Sequence, residues 1–215
     1  KFAGWDGIFM TGASDKPVFI LIDDDKVTIE DASKYWGMGA IEVEKAFKEE
    51  YGKKTSVACI GPSGENLSLL SGICNDHGRL AARSGVGAVM GSKQLKAIAV
   101  RGTKGVGVRD SKAFDVAIKE FREVLAESKA RIGLSRHGTI SMMDVTGSYG
   151  ALPTRNNREV QFEGHEKLNA KAMQSPNENG HVNLITVSAC FACTIGCGRL
   201  SHVDPSHFSV KDQPR

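Results

Sequence analysis

The sequence predicts an α+β fold in two parts, a β-rich N-terminal domain of residues 1–105 and a mostly helical domain of residues 106–215. Three observations predict it. The N-terminal half contains β-branched runs bounded by turn residues, and the half that follows has apolar positions at helical spacing. Between the two, residues 102–109 contain three glycines, which is typical of a linker between domains.

Two strands joined in a hairpin are predicted near the N-terminus. Residues 7–10 form a short strand-like apolar run, and residues 18–22 (VFILI) form a continuous β-branched and aromatic run, typical of a buried strand. Residues 26–30 alternate between polar and apolar side chains, which predicts the hairpin partner of that strand. Three aspartates, residues 23–25, lie between the runs, and a solvated turn is favoured there over a metal site.

The rest of the first domain mixes helices and strands. Residues 41–51 carry apolar side chains at helical spacing among charged ones, which predicts an amphipathic helix. Residues 56–60 and 95–101 are predicted strands, because both runs are apolar and short. Residues 67–73 fit either a short strand or a helix, and residues 85–91 consist of glycines and small or apolar residues.

The second domain begins with a regular helix pattern. Ser111 is the predicted N-cap of a helix from Lys112 to about Lys129. Its apolar face consists of Ala113, Val116, Ala117, Phe121 and Val124. A further helix is predicted over residues 134–145, and loops are predicted at residues 147–153 and 175–180.

The composition limits the possible functions. The formal net charge is +3 and charges of both signs are interspersed, which argues against a nucleic-acid surface. The sequence contains neither an apolar stretch of membrane-spanning length nor a visible signal peptide. Five cysteines, an odd number, indicate a reducing compartment, the cytoplasm, rather than a disulfide scaffold. Both ends resemble interior points of a longer polypeptide, so we expect the chain to be a fragment.

Three of the five cysteines carry the strongest chemical signal. Cys190, Cys193 and Cys197 follow the spacing C-x2-C-x3-C, which is typical of ligands to an iron–sulfur cluster. Zinc is the less favoured alternative, because zinc sites commonly use two separated ligand pairs. Cys59 and Cys74 are possible fourth ligands, but their apolar neighbours favour buried core cysteines. We therefore expect the fourth ligand beyond residue 215.

The residues beside the third cysteine fit the same interpretation. Gly196 and Gly198 flank Cys197, and the absence of side chains lets backbone N–H groups approach a cluster sulfur. Arg199 fits two roles equally, stabilisation of cluster charge or an ordinary surface arginine. The six histidines are scattered, and zinc binding by His202 with His207 is disfavoured.

A second candidate site lies in the first domain. Arg79 and Arg83 are four residues apart, which places them on one face if the segment is helical, and Gly85 follows them. Forked guanidinium donors beside a glycine-rich turn are suited to a phosphate-bearing ligand. The competing interpretation is that the glycines allow tight packing and the arginines form surface ion pairs.

Six runs in order along nearly the whole chain resemble the tungsten-containing aldehyde:ferredoxin oxidoreductases. The runs are residues 1–8, 16–22, 60–67, 75–79, 85–100 and 189–199. The resemblance implies a β-rich domain that forms a base for a tungsten or molybdenum bis-pterin, followed by helical domains and a nearby 4Fe–4S cluster. It also implies that Cys190, Cys193 and Cys197 are three ligands of that cluster, with the fourth cysteine much later in the polypeptide.

The resemblance further implies contacts to the cofactor. The segment from Arg79 to Arg83 corresponds to the one that faces the pterin phosphates, with Gly85 two residues after it. The backbone carbonyl of Leu80 or Ala81 corresponds to the one that holds a magnesium ion bridging the two pterins. Relatives often have Ala and Gly where this chain has Leu80 and Ala82, so the resemblance does not fix the local backbone approach here.

The implied reaction is oxidation of a small-molecule aldehyde to a carboxylic acid, with electrons passing through the cluster to ferredoxin or another low-potential carrier. Homo-oligomers and electron-transfer subunits are further expected partners. The tungsten subunit of benzoyl-CoA reductases is an alternative, as is a non-catalytic iron–sulfur or zinc module. The acid and base residues of such enzymes are expected outside these 215 residues, so the isolated chain is expected to be inactive.

Overall fold

The protein is described here by a computed structural model that covers residues 1–206. The chain divides into two compact units, Lys1–Arg109 and a second unit that begins at Asp110. The first contains a six-stranded mixed sheet with helices, and the second contains helices and a two-stranded ribbon. The predicted α+β class, β-rich first and mostly helical second, is confirmed.

The sheet of the first unit runs in the order β2-β1-β6-β3-β4-β5. Strands β1 and β6 are parallel, and the other neighbouring pairs are antiparallel. The strands are β1 Val18–Asp23, β2 Lys26–Asp31, β3 Ser56–Cys59, β4 Ile73–Asn75, β5 Arg79–Ala81 and β6 Leu95–Arg101. The predicted hairpin and the three predicted buried strands are therefore present.

Helix α1, Ala40–Tyr51, covers one face of this sheet. The rings of Phe47 on α1 and Phe19 on β1 meet edge to face at 4.8 Å between centroids, and both side chains are buried. Ile41, the first apolar residue of the predicted amphipathic helix, is exposed instead. The opposite sheet face packs against two shorter helices and their flanking residues. These helices are α2 Pro62–Glu65 and α3 Val86–Ser92.

Two predicted elements of the first unit are wrong. Residues 7–10 form no strand, and Phe9 among them is fully exposed, because an apolar run becomes a strand only where a neighbouring strand completes its hydrogen bonds. Of residues 67–73, only Ile73 lies in a regular element, the start of β4. Leu67 has a left-handed backbone conformation, with φ of 57°, which interrupts both helix and strand.

Each of the three aspartates at the end of β1 and in the turn after it contacts a residue at or just after the end of β6. Asp23 pairs with Arg101, Asp24 accepts hydrogen bonds from Thr103, and Asp25 pairs with Lys104. These contacts tie the hairpin turn to the segment that follows β6. The predicted turn is correct, and its carboxylates are used for this attachment.

The second unit consists of four helices and an antiparallel ribbon. The helices are α4 Ser111–Glu127, α5 Lys129–His137, α6 Met142–Ser148 and α7 Ala170–Gln174, and the strands are β7 Leu184–Ser188 and β8 Gly198–Ser201. The N-cap of α4 is Asp110 rather than Ser111, because the Asp110 carboxylate accepts from the Ala113 amide at 2.9 Å. The apolar face of α4 is present but not buried within residues 1–206.

The predicted helix over residues 134–145 is interrupted at Gly138. This glycine has a φ of 75°, a conformation that ends α5 and that side chains disfavour. A short 3₁₀ turn follows it, and α6 starts at Met142. Across residues 1–206, none of the helices has the length and apolar character needed to cross a lipid bilayer.

Candidate functional site

The three clustered cysteines lie in the connection between β7 and β8. The ribbon closes this connection by pairing Ser188 with Gly198. Cys190 and Cys193 are exposed, and Cys197 is half-buried immediately before β8. The sequence pattern therefore folds as one short loop that carries all three thiols.

Local hydrogen bonds shape the loop. The Cys193 amide donates to the Cys190 carbonyl at 3.1 Å, which forms a tight turn between the first two cysteines. The Ile195 amide donates to the Cys193 sulfur at 3.4 Å. Backbone N–H donation to sulfur was expected from Gly196 and Gly198, and it comes here from Ile195. Gly196 instead supplies a left-handed residue, with φ of 61°, that returns the chain toward β8.

Arg199 connects the loop to the end of α5. Its Nη1 donates to the carbonyls of Gly196 and Gly198 at 2.9 and 2.7 Å, and its Nη2 donates to the carbonyl of Ser135 at 2.7 Å. A longer bond of 3.3 Å reaches Leu134. The Nε atom is buried without a hydrogen-bond acceptor among the described residues. Arg199 is therefore not a free surface arginine.

Two further residues of the same contact were not identified from the sequence. The Ser135 hydroxyl donates to the Ile195 carbonyl at 2.6 Å. A side-chain carbon on Gly138 would lie 2.9 Å from the Cys197 carbonyl oxygen and 3.2 Å from the Arg199 guanidinium carbon. Glycine at this position allows the cysteine loop to lie against the helix end. The glycine inside an otherwise helical pattern was the available signal.

The donor set fits a soft metal group in its chemistry. Thiolates within eight residues of one loop are suited to iron–sulfur clusters, and the buried Nε of Arg199 is a donor that the described residues leave unsatisfied. Within residues 1–206, His, Cys, Asp and Glu side chains are nowhere gathered in threes as metal ligands, so the loop as folded holds its thiols apart. His202 uses its carbonyl to accept from His181, and His207 lies outside the described residues.

Cys59 and Cys74 are core residues, as predicted. Both are buried, and they face each other on β3 and β4. The Cys59 thiol donates to the Ala40 carbonyl at 3.3 Å. Burial, followed by the neighbouring Cys74, raises the pKa of Cys59 to about 12, and burial also raises the pKa of Cys74. Thiols held in the protonated form this strongly are poor metal ligands.

The candidate cofactor segment lies at the free edge of the large sheet. Arg79, Leu80 and Ala81 form β5, the last strand, and a 3₁₀ turn starts at Arg83. The condition that the segment is helical, under which Arg79 and Arg83 would share a face, is not met, because Arg79 pairs with β4 as part of a strand. Residues 80–84 are exposed and Arg79 is partly buried.

Glycine supports this segment by allowing close backbone contact. Ser84 and Gly85 have left-handed φ values of 67° and 63°, and a side-chain carbon on Gly85 would lie 2.5 Å from the Leu69 carbonyl. A side-chain carbon on Gly87 would lie 2.7 Å from the Gly72 carbonyl. The packing role proposed for these glycines is therefore present. Because residues 80–84 are exposed, the segment is accessible to a phosphate-bearing ligand, and phosphate binding stays a prediction.

The two backbone carbonyls considered for magnesium face opposite directions. The Ala81 carbonyl oxygen lies 2.7 Å from the position of a side-chain carbon on Gly72, so it points toward β4. Successive carbonyls of a strand point to opposite sides, and β5 has a neighbour on one side only. The Leu80 carbonyl therefore points away from the sheet at its free edge.

A buried carboxylate supports the turn before this edge strand. Glu44 on α1 is 1% exposed, and its Oε2 accepts from the backbone amide of His77 at 2.8 Å while its Oε1 accepts from Lys48 at 2.5 Å. Burial raises the pKa of Glu44, but the hydrogen bonds from Lys48 and His77 oppose it, and the net pKa is lowered. The sequence pattern gave no signal for this contact.

Comparisons with known proteins cover both units. Residues 1–102 match the family model for the aldehyde ferredoxin oxidoreductase N-terminal domain, and residues 116–215 match the model for domains 2 and 3 of the same enzymes. The chain is similar to the tungsten-containing aldehyde ferredoxin oxidoreductase of Thermococcus kodakarensis, with 44% identity over 203 residues, which are 94% of this chain and 33% of that protein.

Two more distant similarities extend the comparison. The WOR-like subunit of an aliphatic sulfonate oxidoreductase from Pyrococcus furiosus is 30% identical over 231 residues and is covered over 36% of its length. The solved active site complex BamBC of benzoyl coenzyme A reductase with 1,5-dienoyl-CoA has a TM-score of 0.72 and 27% identity, over 94% of this chain and 32% of that one. The chain spans about a third of the length of these relatives.

Proposed function

Because this chain belongs to the aldehyde ferredoxin oxidoreductase family, we propose that it forms part of a tungsten or molybdenum bis-pterin enzyme that oxidises aldehydes to carboxylic acids. Electrons leave through a 4Fe–4S cluster to ferredoxin or another low-potential carrier. The observation that carries the proposal is a single loop with three cysteines, in a chain that matches both the N-terminal and the following domains of the family.

We assign the cluster ligands to Cys190, Cys193 and Cys197. A cluster bound there would supply one-electron transfer. The exposed positions of Cys190 and Cys193 support this assignment, because thiols at the surface of a loop are able to turn toward a common centre. The Ile195 amide, which already donates to a cysteine sulfur, is suited to stabilise sulfur charge.

We assign the phosphate contacts of the pterin to the edge of the large sheet. Arg79 and Arg83 offer forked donors on either side of the exposed backbone of residues 80–82. The Leu80 carbonyl, which points away from β4, is a better candidate for a magnesium ligand than the Ala81 carbonyl. These residues bind and orient the cofactor, and the residues that handle protons at the substrate are expected elsewhere in the polypeptide.

Ring reduction, as in benzoyl-CoA reductases, is the second candidate. The observation in its favour is the structural similarity to the BamBC complex over 94% of this chain. The 44% identity to tungsten-containing aldehyde ferredoxin oxidoreductase, against 27% to that complex, favours the aldehyde reaction. A non-catalytic zinc or iron–sulfur module is a third possibility with less support, because the family matches extend over the cofactor segment as well.

Metal analysis of the full-length polypeptide that contains these residues tests the proposal. We expect tungsten or molybdenum together with about four irons per chain, and aldehyde-dependent reduction of a viologen dye. C190S, C193S and C197S should each lower the iron content, while C74A serves as a matched control that keeps it. Zinc alone, or iron without tungsten or molybdenum, would contradict the enzyme assignment. Activity with an aromatic acyl-CoA and not with aldehydes would favour the second candidate.

A further inference from the structure

We propose that Arg199 is the positioning residue that fixes Cys197 in place before the metal group binds. The proposal rests on the cluster assignment above and deepens it. It gives the three cysteines unequal roles, one held by the fold and two carried on the exposed part of the loop. It also differs from the surface role that the sequence offered for this arginine.

The first step of the argument is the pattern of acceptors. The two carbonyls that Nη1 contacts belong to Gly196 and Gly198, the residues on either side of Cys197. The other guanidinium nitrogen, Nη2, contacts the last turn of α5 at Ser135 and Leu134. One rigid planar group therefore bridges the backbone around the third cysteine to a helix end. A guanidinium has the forked donors for this arrangement, and an ammonium group does not.

The second step is that the same helix end is shaped to receive the loop. The Ser135 hydroxyl holds the Ile195 carbonyl, two residues before Cys197. Gly138 lacks the side chain that would collide with the Cys197 carbonyl. The positive guanidinium also lies at the C-terminal end of α5, where a cation is favoured by the carbonyl dipoles. Ser135 and Gly138 thus act on the same short stretch of backbone that Arg199 contacts.

The third step is the contrast within the loop. Cys190 and Cys193 are exposed and are joined by a turn of their own, whereas Cys197 is half-buried at the start of β8. Assembly of the site then requires the exposed turn to move toward a fixed third thiol. A ligand fixed in advance lowers the ordering cost of metal binding.

Iron release from the full-length protein tests this role. We compare wild type, R199K, S135A and R136K, in which Arg136 is an exposed arginine on the same helix end. With a ferrous chelator in excess, R199K should lose iron about 10- to 100-fold faster than wild type. S135A, which removes one hydrogen bond and keeps the guanidinium, should lose iron about fivefold faster. R136K should match wild type.

A spectroscopic measurement separates this role from general destabilisation. If Cys197 is no longer held, the iron that it binds is lost first, and oxidised R199K should show the EPR signal of a three-iron cluster at unchanged melting temperature. If R199K does not fold, the rate of iron release from S135A relative to wild type tests the inference instead. Release from R199K and S135A at the wild-type rate, without a three-iron signal, would overturn the inference while leaving the cluster intact. Absence of iron from wild type would instead defeat the proposed function itself.

Discussion

Cys59 and Cys74 lie directly opposite each other on the antiparallel strands β3 and β4, and both side chains are buried. Judged only from the number of cysteines in the sequence, either of the two could be the fourth ligand beside Cys190, Cys193 and Cys197. Their environment argues otherwise, because burial favours the uncharged thiol and raises the pKa of both residues. We infer that these cysteines belong to the core and that the fourth cluster ligand lies elsewhere.

Thiol alkylation tests this separation. In metal-free protein at about pH 8, iodoacetamide should modify Cys190 and leave Cys59 and Cys74 unmodified, because both core thiols are buried and burial raises the pKa of each. The Cys59 thiol, with a pKa of about 12, is ionised to only roughly one part in ten thousand. Peptide mass spectrometry reads out each site. Denatured protein, in which all the cysteines should react, is the control. Modification of Cys59 at the rate of Cys190 would contradict its burial.

The glycine contacts predict a second result. A side-chain carbon on Gly91 of α3 would lie 1.9 Å from the Gly64 carbonyl, whereas one on Gly133 of α5 would meet nothing within 4 Å. G91A should therefore destabilise the fold by about 3 kcal/mol or more, because backbone must move. G133A should be neutral or stabilise by up to about 1 kcal/mol, because alanine favours helix. Thermal unfolding compares the two, and equal effects would contradict the packing argument.

Regular apolar patterns were sufficient to predict much of the fold. The runs at residues 18–22 and 95–101 became β1 and β6, because continuous apolar strands have few other ways to bury their side chains. The cysteine loop could also be identified from the sequence, since its three cysteines lie within eight residues. Contacts between distant residues were not visible. Ser135 and Arg199 are separated by 64 positions, and no local pattern reports that they meet.

The start of α4 illustrates the limit for a local feature. Asp110 and Ser111 are adjacent and both are favourable N-cap residues, so composition alone does not choose between them. The backbone decides, because Asp110 is extended, with φ of −134°, and its carboxylate reaches the amide three residues later. Boundary residues of this kind are set by backbone geometry that sequence patterns do not specify.

This difference gives a third prediction. D110A should remove the cap and destabilise the first turn of α4 by about 1 kcal/mol, whereas S111A should have an effect within about 0.3 kcal/mol. Hydrogen exchange at the Ala113 amide, which donates to Asp110, measures the effect directly. Its exchange should accelerate about fivefold in D110A and remain unchanged in S111A. A larger effect of S111A would restore the original cap assignment.

Glu44 provides the last prediction, which concerns pH. Its carboxylate holds the backbone of His77 in the turn that leads into β5, the strand proposed to contact the cofactor. The folded-state pKa of Glu44 lies below its ordinary value of 4.5. A lowered carboxyl pKa means that the stabilisation is complete above the unfolded-state pKa and is lost as the pH falls through the folded-state pKa. The turn should therefore loosen in acid.

E44Q should reproduce this loss at neutral pH. We expect a destabilisation of about 1–3 kcal/mol at pH 7, because Lys48 and the His77 amide lose a charged acceptor. The difference from wild type should shrink as the pH falls below about 4.5, because the unfolded chain then takes up a proton that the folded carboxylate binds only at lower pH. Melting temperatures from pH 3 to pH 7 test this, with the exposed Glu49 changed in E49Q as the control.

Because the His77 side chain also lies 3.8 Å from the Glu44 carboxylate, the same series with H77A isolates the contribution of that side chain. A constant difference between E44Q and wild type at every pH would show that packing, rather than charge, supports the turn.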